Sequence, residues 1–131
     1  MASANALLKS VFGFDAFRPG QEEIVRAVAN GESVLAIMPT GGGKSLCYQL
    51  PALMGEGLTL VISPLIALMR DQVAALKQAG VAAGALTSAA SEDENQAVID
   101  AARAGELSLL YLAPERLSST VTRNILRDAG V

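Results

Sequence analysis

The stretch Met38-Pro39-Thr40-Gly41-Gly42-Gly43-Lys44-Ser45 constrains this chain more than any other. The apolar residues 33–37 before it read as a buried strand, and Leu46-Cys47-Tyr48-Gln49-Leu50 after it opens a helical pattern. Strand, glycine-rich turn and helix, in that order, make the setting a phosphate-binding loop requires. Three consecutive glycines let the backbone curl so that successive N–H groups face one anion, and the helix start adds its unpaired donors. In such a loop Lys44 reaches the β- and γ-phosphates and the Ser45 hydroxyl ligates Mg²⁺. The alternative is a glycine-rich β-to-α turn with an incidental Lys-Ser.

Composition narrows the rest. At 131 residues the chain reads as one domain with a real core, and 51% of it is hydrophobic. The longest apolar run, 58–69, is broken by Thr59, Ser63 and Pro64 and is too short to span a bilayer. Residues 1–11 carry one lysine and no following apolar run, so no signal peptide is expected. The lone Cys47 rules out an internal disulfide framework, points to a reducing, cytoplasmic compartment, and reads as a small buried apolar side chain. With no histidine, a histidine-based metal site or triad is excluded. A net charge of −3 does not advertise nucleic-acid binding, so such binding must rest on positioned groups.

Along the chain, residues 3–11 predict a short helix with Ser3 as N-cap. A loop with all three phenylalanines, Phe12, Phe14 and Phe17, leads to Arg18-Pro19-Gly20 and a helix over 21–29 that leaves through Gly31. The pattern then predicts a helix over 44–54 with Pro51 suggesting a kink, and a strand over 58–62. A helix over 65–79 closed by Gly80 comes next, then a weak strand over 83–87. Ser91 caps a helix to 104 with Glu92, Asp93 and Glu94 in its first turn; a strand over 107–112 and a helix over 118–128 complete the set. Continuously apolar strands alternating with helices imply an α/β fold of three layers, a parallel sheet with helices on both faces.

Met38 stands where the strict G-x-x-x-x-G-K-S/T pattern has its first glycine, and the stretch matches the version found in superfamily-2 helicases. Three further stretches lie in register with it: Phe12 through Gln21, Leu60-Val61-Ile62-Ser63-Pro64-Leu65-Ile66-Ala67-Leu68-Met69-Arg70-Asp71-Gln72-Val73, and Leu110 through Leu117. Together the four resemble the first RecA-like domain of the RecQ family of DNA helicases, from about Leu8 to Leu117. The resemblance implies a RecA-like P-loop fold and a parent enzyme that is an ATP-dependent 3′–5′ DNA helicase of recombination and repair. It implies ATP and Mg²⁺ as cofactors, and single-stranded and duplex DNA and the remaining helicase domains as partners. No membrane association is expected, and a prokaryotic parent would be nucleoid-associated.

The implied roles fall on particular residues. Gln21 would read the adenine edge, since a glutamine amide can pair bidentately with N6 and N7, with Phe14 and Arg18 flanking the ring. The family usually has tyrosine at Phe14; core packing is the other reading for Phe12, Phe14 and Phe17. An exposed place in a helix's first turn is the bland reading for Gln21. Thr40, Gly41, Gly42, Gly43, Lys44 and Ser45 would hold the phosphates and Mg²⁺, with Lys44 and Ser45 as the catalytic pair. Ser63, Pro64, Arg70, Thr87, Ser88, Glu115 and Arg116 would follow the DNA backbone. Arg70 and Asp71 could instead be an exposed helix face, and Glu115–Arg116 an ion pair closing a loop. The family's Asp-Glu-x-His segment is not found, so residues 1–131 read as the N-terminal, truncated part of the domain, expected to leave an exposed sheet edge. Alternatives are a nucleotide-binding fragment without turnover, or a superfamily-2 RNA helicase.

Overall fold

The computed structural model describes residues 4–37, 44–55, 57–88 and 90–131. They form two compact units, Met1–Glu56 and Gly57–Val131. Ser3 and the stretch 38–43, with Thr40, Gly41, Gly42 and Gly43, lie outside the described residues.

The first unit holds three helices: α1 (Ala4–Ser10), α2 (Gln21–Ala29) and α3 (Leu46–Met54). Both α1 and α2 pack on α3. Ala4, Leu8, Val25, Leu46 and Leu50 form the core, with Leu7, Phe12, Phe17 and Met54 against it. Pro51 lies inside α3, which begins at Leu46, two residues later than the sequence pattern indicates. The buried strand expected over 33–37 is not there. Those residues form no strand, and Leu35 and Ile37 are 88% and 89% exposed. A strand exists only through its ladder, and the described remainder of this unit is helix and loop, with no extended neighbour to pair with.

The second unit alternates strands and helices: β1 (Thr59–Ile62), α4 (Ile66–Gln78), β2 (Ala83–Leu86), α5 (Glu92–Arg103), β3 (Leu109–Leu112), a 3₁₀ turn (Pro114–Ser118) and α6 (Thr120–Ala129). The expected last helix over 118–128 is α6, starting two residues later because Pro114 first opens a tight turn and Ser119 then caps the helix through the Thr122 N–H. The other strands and helices of this unit fall within two residues of expectation. The sheet is parallel in the order β1-β3-β2, with Leu60, Leu110 and Gly84 in one row and Val61, Tyr111 and Ala85 in the next. β1 to β2 steps across the sheet in one direction and β2 to β3 steps back, so right-handed crossovers put α4 and α5 on opposite faces. The burial agrees: Leu58, Leu86, Leu110 and Leu112 pack with Val98, Ile99 and Leu126 from α5 and α6. The buried residues of α4 (Met69, Val73 and Leu76) lie outside that cluster. Every residue of the central β3 is buried, as a strand covered on both faces must be. At α5 the Ser91 Oγ accepts the Glu94 N–H at 3.1 Å, the cap read from the sequence.

Close packing of α5 on β2 depends on Gly84. A Cβ there would lie 3.0 Å from Val98 Cγ1 and 3.3 Å from Val98 Cγ2. Gly84→Val is expected to destabilise the fold by about 1–3 kcal/mol through overpacking. A urea titration of both proteins checks this, and an unchanged midpoint would mean that α5 does not press on this strand.

Candidate functional site

Two sets of candidate residues emerge, one in each unit. In the first, Gly20 adopts φ 85 immediately before α2, a left-handed backbone that glycine reaches without the Cβ penalty. The turn brings Arg18 and Gln21 into a reciprocal pair. The Gln21 N–H donates to the Arg18 carbonyl at 3.1 Å, and the Arg18 N–H donates to Gln21 Oε1 at 2.8 Å. Gln21 is 3% exposed, so the reading of it as an ordinary exposed first-turn residue fails. The pairing also tells the two ends of the amide apart, since only the oxygen can accept that N–H. Phe12 and Phe17 do what core packing predicts, whereas Phe14 is 51% exposed and its ring is open to stacking.

Lys44 and Ser45 stand immediately before α3, Lys44 exposed and Ser45 half-buried. The Ser45 carbonyl accepts the Gln49 N–H at 2.9 Å, while its hydroxyl makes no capping bond. That hydroxyl is therefore not committed to the helix it precedes. Val25, one turn beyond Gln21, and Leu46, next to Ser45, share one buried cluster. No group of three or more His, Cys, Asp or Glu side chains that could hold a metal exists among the described residues. A divalent cation here would be held by Ser45 together with phosphate oxygens and water, which suits Mg²⁺.

Cys47, on the first turn of α3, is buried as expected, and burial pushes its thiol above the usual range.

In the second unit, Ile62, Leu112 and Leu86 end their strands in one row. Ser63, Ala113 and Thr87 follow, so the candidate DNA-contacting segments leave one carboxyl edge. Ser63 continues the ladder through its N–H to the Leu112 carbonyl at 3.1 Å, and its Oγ accepts the Leu65 N–H at 3.2 Å. The first backbone bond of α4 is Met69 N–H to the Leu65 carbonyl, which leaves the N–H groups of Ile66, Ala67 and Leu68 at the open helix start. Pro64 and Ser88 are exposed, whereas Thr87 is 2% exposed. Asn95, which sequence reasoning missed, explains the burial: its Nδ2 donates to the Thr87 carbonyl at 2.9 Å and its Oδ1 accepts the Thr87 N–H at 3.4 Å. An asparagine on a helix carries no sequence signal for that role.

Glu115 and Arg116 lie on the 3₁₀ turn, Glu115 exposed and Arg116 half-buried. The ion pair between them is not formed. The Ser118 hydroxyl instead closes the turn on the Glu115 carbonyl at 2.7 Å, because adjacent side chains on a tight helical turn diverge. Arg70 and Asp71 are both exposed, and Arg70 lines one cavity with Thr87. This edge therefore offers N–H groups, hydroxyls and two arginines to an anionic backbone, in keeping with an acidic chain.

Comparison with known proteins adds the following. The profile of the DEAD/DEAH box helicase family matches residues 18–131. The ATP-dependent DNA helicase RecQ of Haemophilus influenzae is 51% identical over 88% of this chain and 19% of its own length. The protein of the same name from Bacillus subtilis is 47% identical over 98% of this chain and 22% of its own. That from Synechocystis is 45% identical over 98% and 27%. The chain spans about a fifth to a quarter of these curated relatives.

The buried thiol yields a pH dependence. Because the folded state holds the Cys47 proton more tightly than the unfolded chain, its contribution is fully present below the ordinary thiol value of about 8.5 and is lost as pH rises through the raised one. Urea midpoints at pH 7 and pH 10 should therefore fall more steeply for the native chain than for Cys47→Ala. Equal slopes would show that the thiol is not desolvated.

Proposed function

The chain belongs to the RecQ family within the DEAD/DEAH box helicases, and we propose that it supplies the ATP-binding half-site and part of the single-stranded DNA path of an ATP-dependent DNA helicase. The whole enzyme, on this reading, unwinds DNA in the 3′ to 5′ direction during recombination and repair, in the cytoplasm. The observation that carries the proposal is the buried Gln21, held by the Arg18 N–H.

The chemistry follows from that geometry. On this reading the Gln21 amide pairs with the adenine edge, Oε1 accepting N6–H and Nε2 donating to N7. The exposed Phe14 ring and the Arg18 guanidinium flank the base. Backbone N–H groups of Thr40, Gly41, Gly42 and Gly43 cradle the phosphates, the Lys44 ammonium offsets their charge, and the Ser45 hydroxyl is the protein's ligand to Mg²⁺. The bound Mg²⁺ would supply charge neutralisation across the β- and γ-phosphates.

At the sheet's carboxyl edge, Ser63, Pro64, Ser88, Glu115 and Arg116 follow the DNA backbone, with Arg70 beside them, whereas Thr87, buried and held by Asn95, positions Ser88 instead of touching DNA itself. Such contacts position a strand without reading its bases. The remaining helicase domains and duplex DNA are the other partners.

Nucleotide selectivity tests the base assignment. Guanine presents an acceptor where adenine presents N6–H, so one hydrogen bond becomes a repulsion costing about 1–3 kcal/mol, about ten- to a hundredfold in affinity. Calorimetric titration should show ADP bound more tightly than GDP, with the preference lost in Gln21→Ala. Lys44→Ala should weaken both nucleotides alike. Equal affinity for the two bases in the native chain removes the assignment.

Turnover is a separate matter. The 131 residues contain no Asp-Glu-x-His segment to orient the attacking water. The purified chain is expected to bind nucleotide without steady hydrolysis, and ATPase activity abolished by Lys44→Ala would refute this. For the whole enzyme, unwinding of a DNA duplex in preference to an RNA duplex is expected; the reverse preference would favour an RNA helicase.

A further inference from the structure

The ladder of the second unit determines which backbone groups its sheet leaves unused. Thr59 N–H donates to the Ser108 carbonyl at 2.9 Å and Ser63 N–H to that of Leu112 at 3.1 Å, so the even-numbered residues of β3 face β1. On the other side the Ala82 carbonyl accepts the Ser108 N–H at 2.8 Å, just before β3, and the Leu109 N–H at 3.4 Å. By the alternation of a parallel ladder, β2 then spends residues 82, 84 and 86 on β3 and turns Ala83, Ala85 and Thr87 outward. Thr87 is already satisfied, because the Asn95 amide pairs with its N–H and carbonyl as the peptide of a neighbouring strand would. Ala83 and Ala85 have no such partner among the described residues.

These two residues line a cleft of about 720 Å³ beside the edge of β2. One wall is α4, with Arg70 and Lys77; the other is α5, with Glu94, Ala97 and Ala101, and Glu106 adds a second carboxylate. We infer that the outer edge of β2 binds an extended peptide segment of a partner protein by strand addition, pairing with Ala83 and Ala85 and stopping where Asn95 occupies Thr87.

The walls select this occupant. A second copy would carry its own α4 and α5 beside its β2, and antiparallel edge pairing about a two-fold axis would oppose α4 to α4, with Arg70 and Lys77 facing their own duplicates. A lone strand has no helices to collide. Its side chains alternate between the two walls, so the complementary segment carries acidic residues toward α4, basic ones toward α5, and β-branched residues over the alanine floor.

The test uses the 131-residue chain and the synthetic peptide acetyl-Glu-Lys-Val-Val-Glu-Lys-amide, which has that alternation. Main-chain bonds supply most of the affinity in strand addition, so this pattern should suffice. Titration followed by amide hydrogen exchange should slow exchange at Ala83 and Ala85, leaving Gly84 and Leu86 as they were. The analogue N-methylated at both valines should give no protection. Ala85→Pro removes an outward donor without touching the bonds to β3 and should weaken binding about tenfold or more. Asn95→Ala frees Thr87 for a further pair and should strengthen binding several-fold. Unchanged exchange at Ala83 and Ala85 with saturating peptide overturns the inference. So does equal binding of the N-methylated analogue, or protection of the same amides by raising chain concentration without peptide.

Discussion

The backbone ladder through β3 is the interaction on which the second unit depends. β3 is buried along its length and pairs in parallel with a strand on each side. Because all three strands run the same way, the loops that follow them emerge at one edge, and residues 63, 87 and 114–116, far apart in the chain, become neighbours of one surface. An antiparallel sheet would have scattered them to both ends. The same ladder dictates, residue by residue, which amides remain for anything else to use.

That edge resolves the apparent conflict between an acidic chain and the nucleic-acid partner proposed for it. A helix start leaves N–H groups without intrahelical acceptors, and these attract phosphate irrespective of net charge. At α4 the donors are Ile66, Ala67 and Leu68, framed by the Ser63 turn. Contacts of this kind depend on geometry more than on long-range attraction, so a charge of −3 is compatible with them.

In the first unit, one glycine has a comparable influence. Gly20 reverses the chain so that Arg18 and Gln21 satisfy each other, and the result is a buried amide whose oxygen is already oriented. Flexible glutamines lose rotamer entropy when they bind; this one has lost it in advance. Cys47, by contrast, is simply core, with burial suppressing its ionisation.

The helices were legible in the sequence because their signals are local: a cap at Ser91, acidic residues after it, and glycines at 20, 31 and 80 where the chain turns. α2 over Gln21–Ala29 is read to the residue. The apolar runs that became β1, β2 and β3 were legible as strands for the same reason, and the RecQ-type motifs were legible by their order and spacing. The run at 33–37 has the same composition and yet forms no strand, since a strand is completed by a partner and composition says nothing about partners. Nor could the sequence show that Gln21 is buried, that Asn95 holds Thr87, or that Glu115 and Arg116 do not pair. Each of those depends on where a distant or differently oriented group falls after folding. The sequence by itself determined the local elements and the family motifs, because both are written in short-range patterns. The tertiary structure alone decided strand order, burial and hydrogen-bond partners, because those are set by packing between residues that the chain holds far apart.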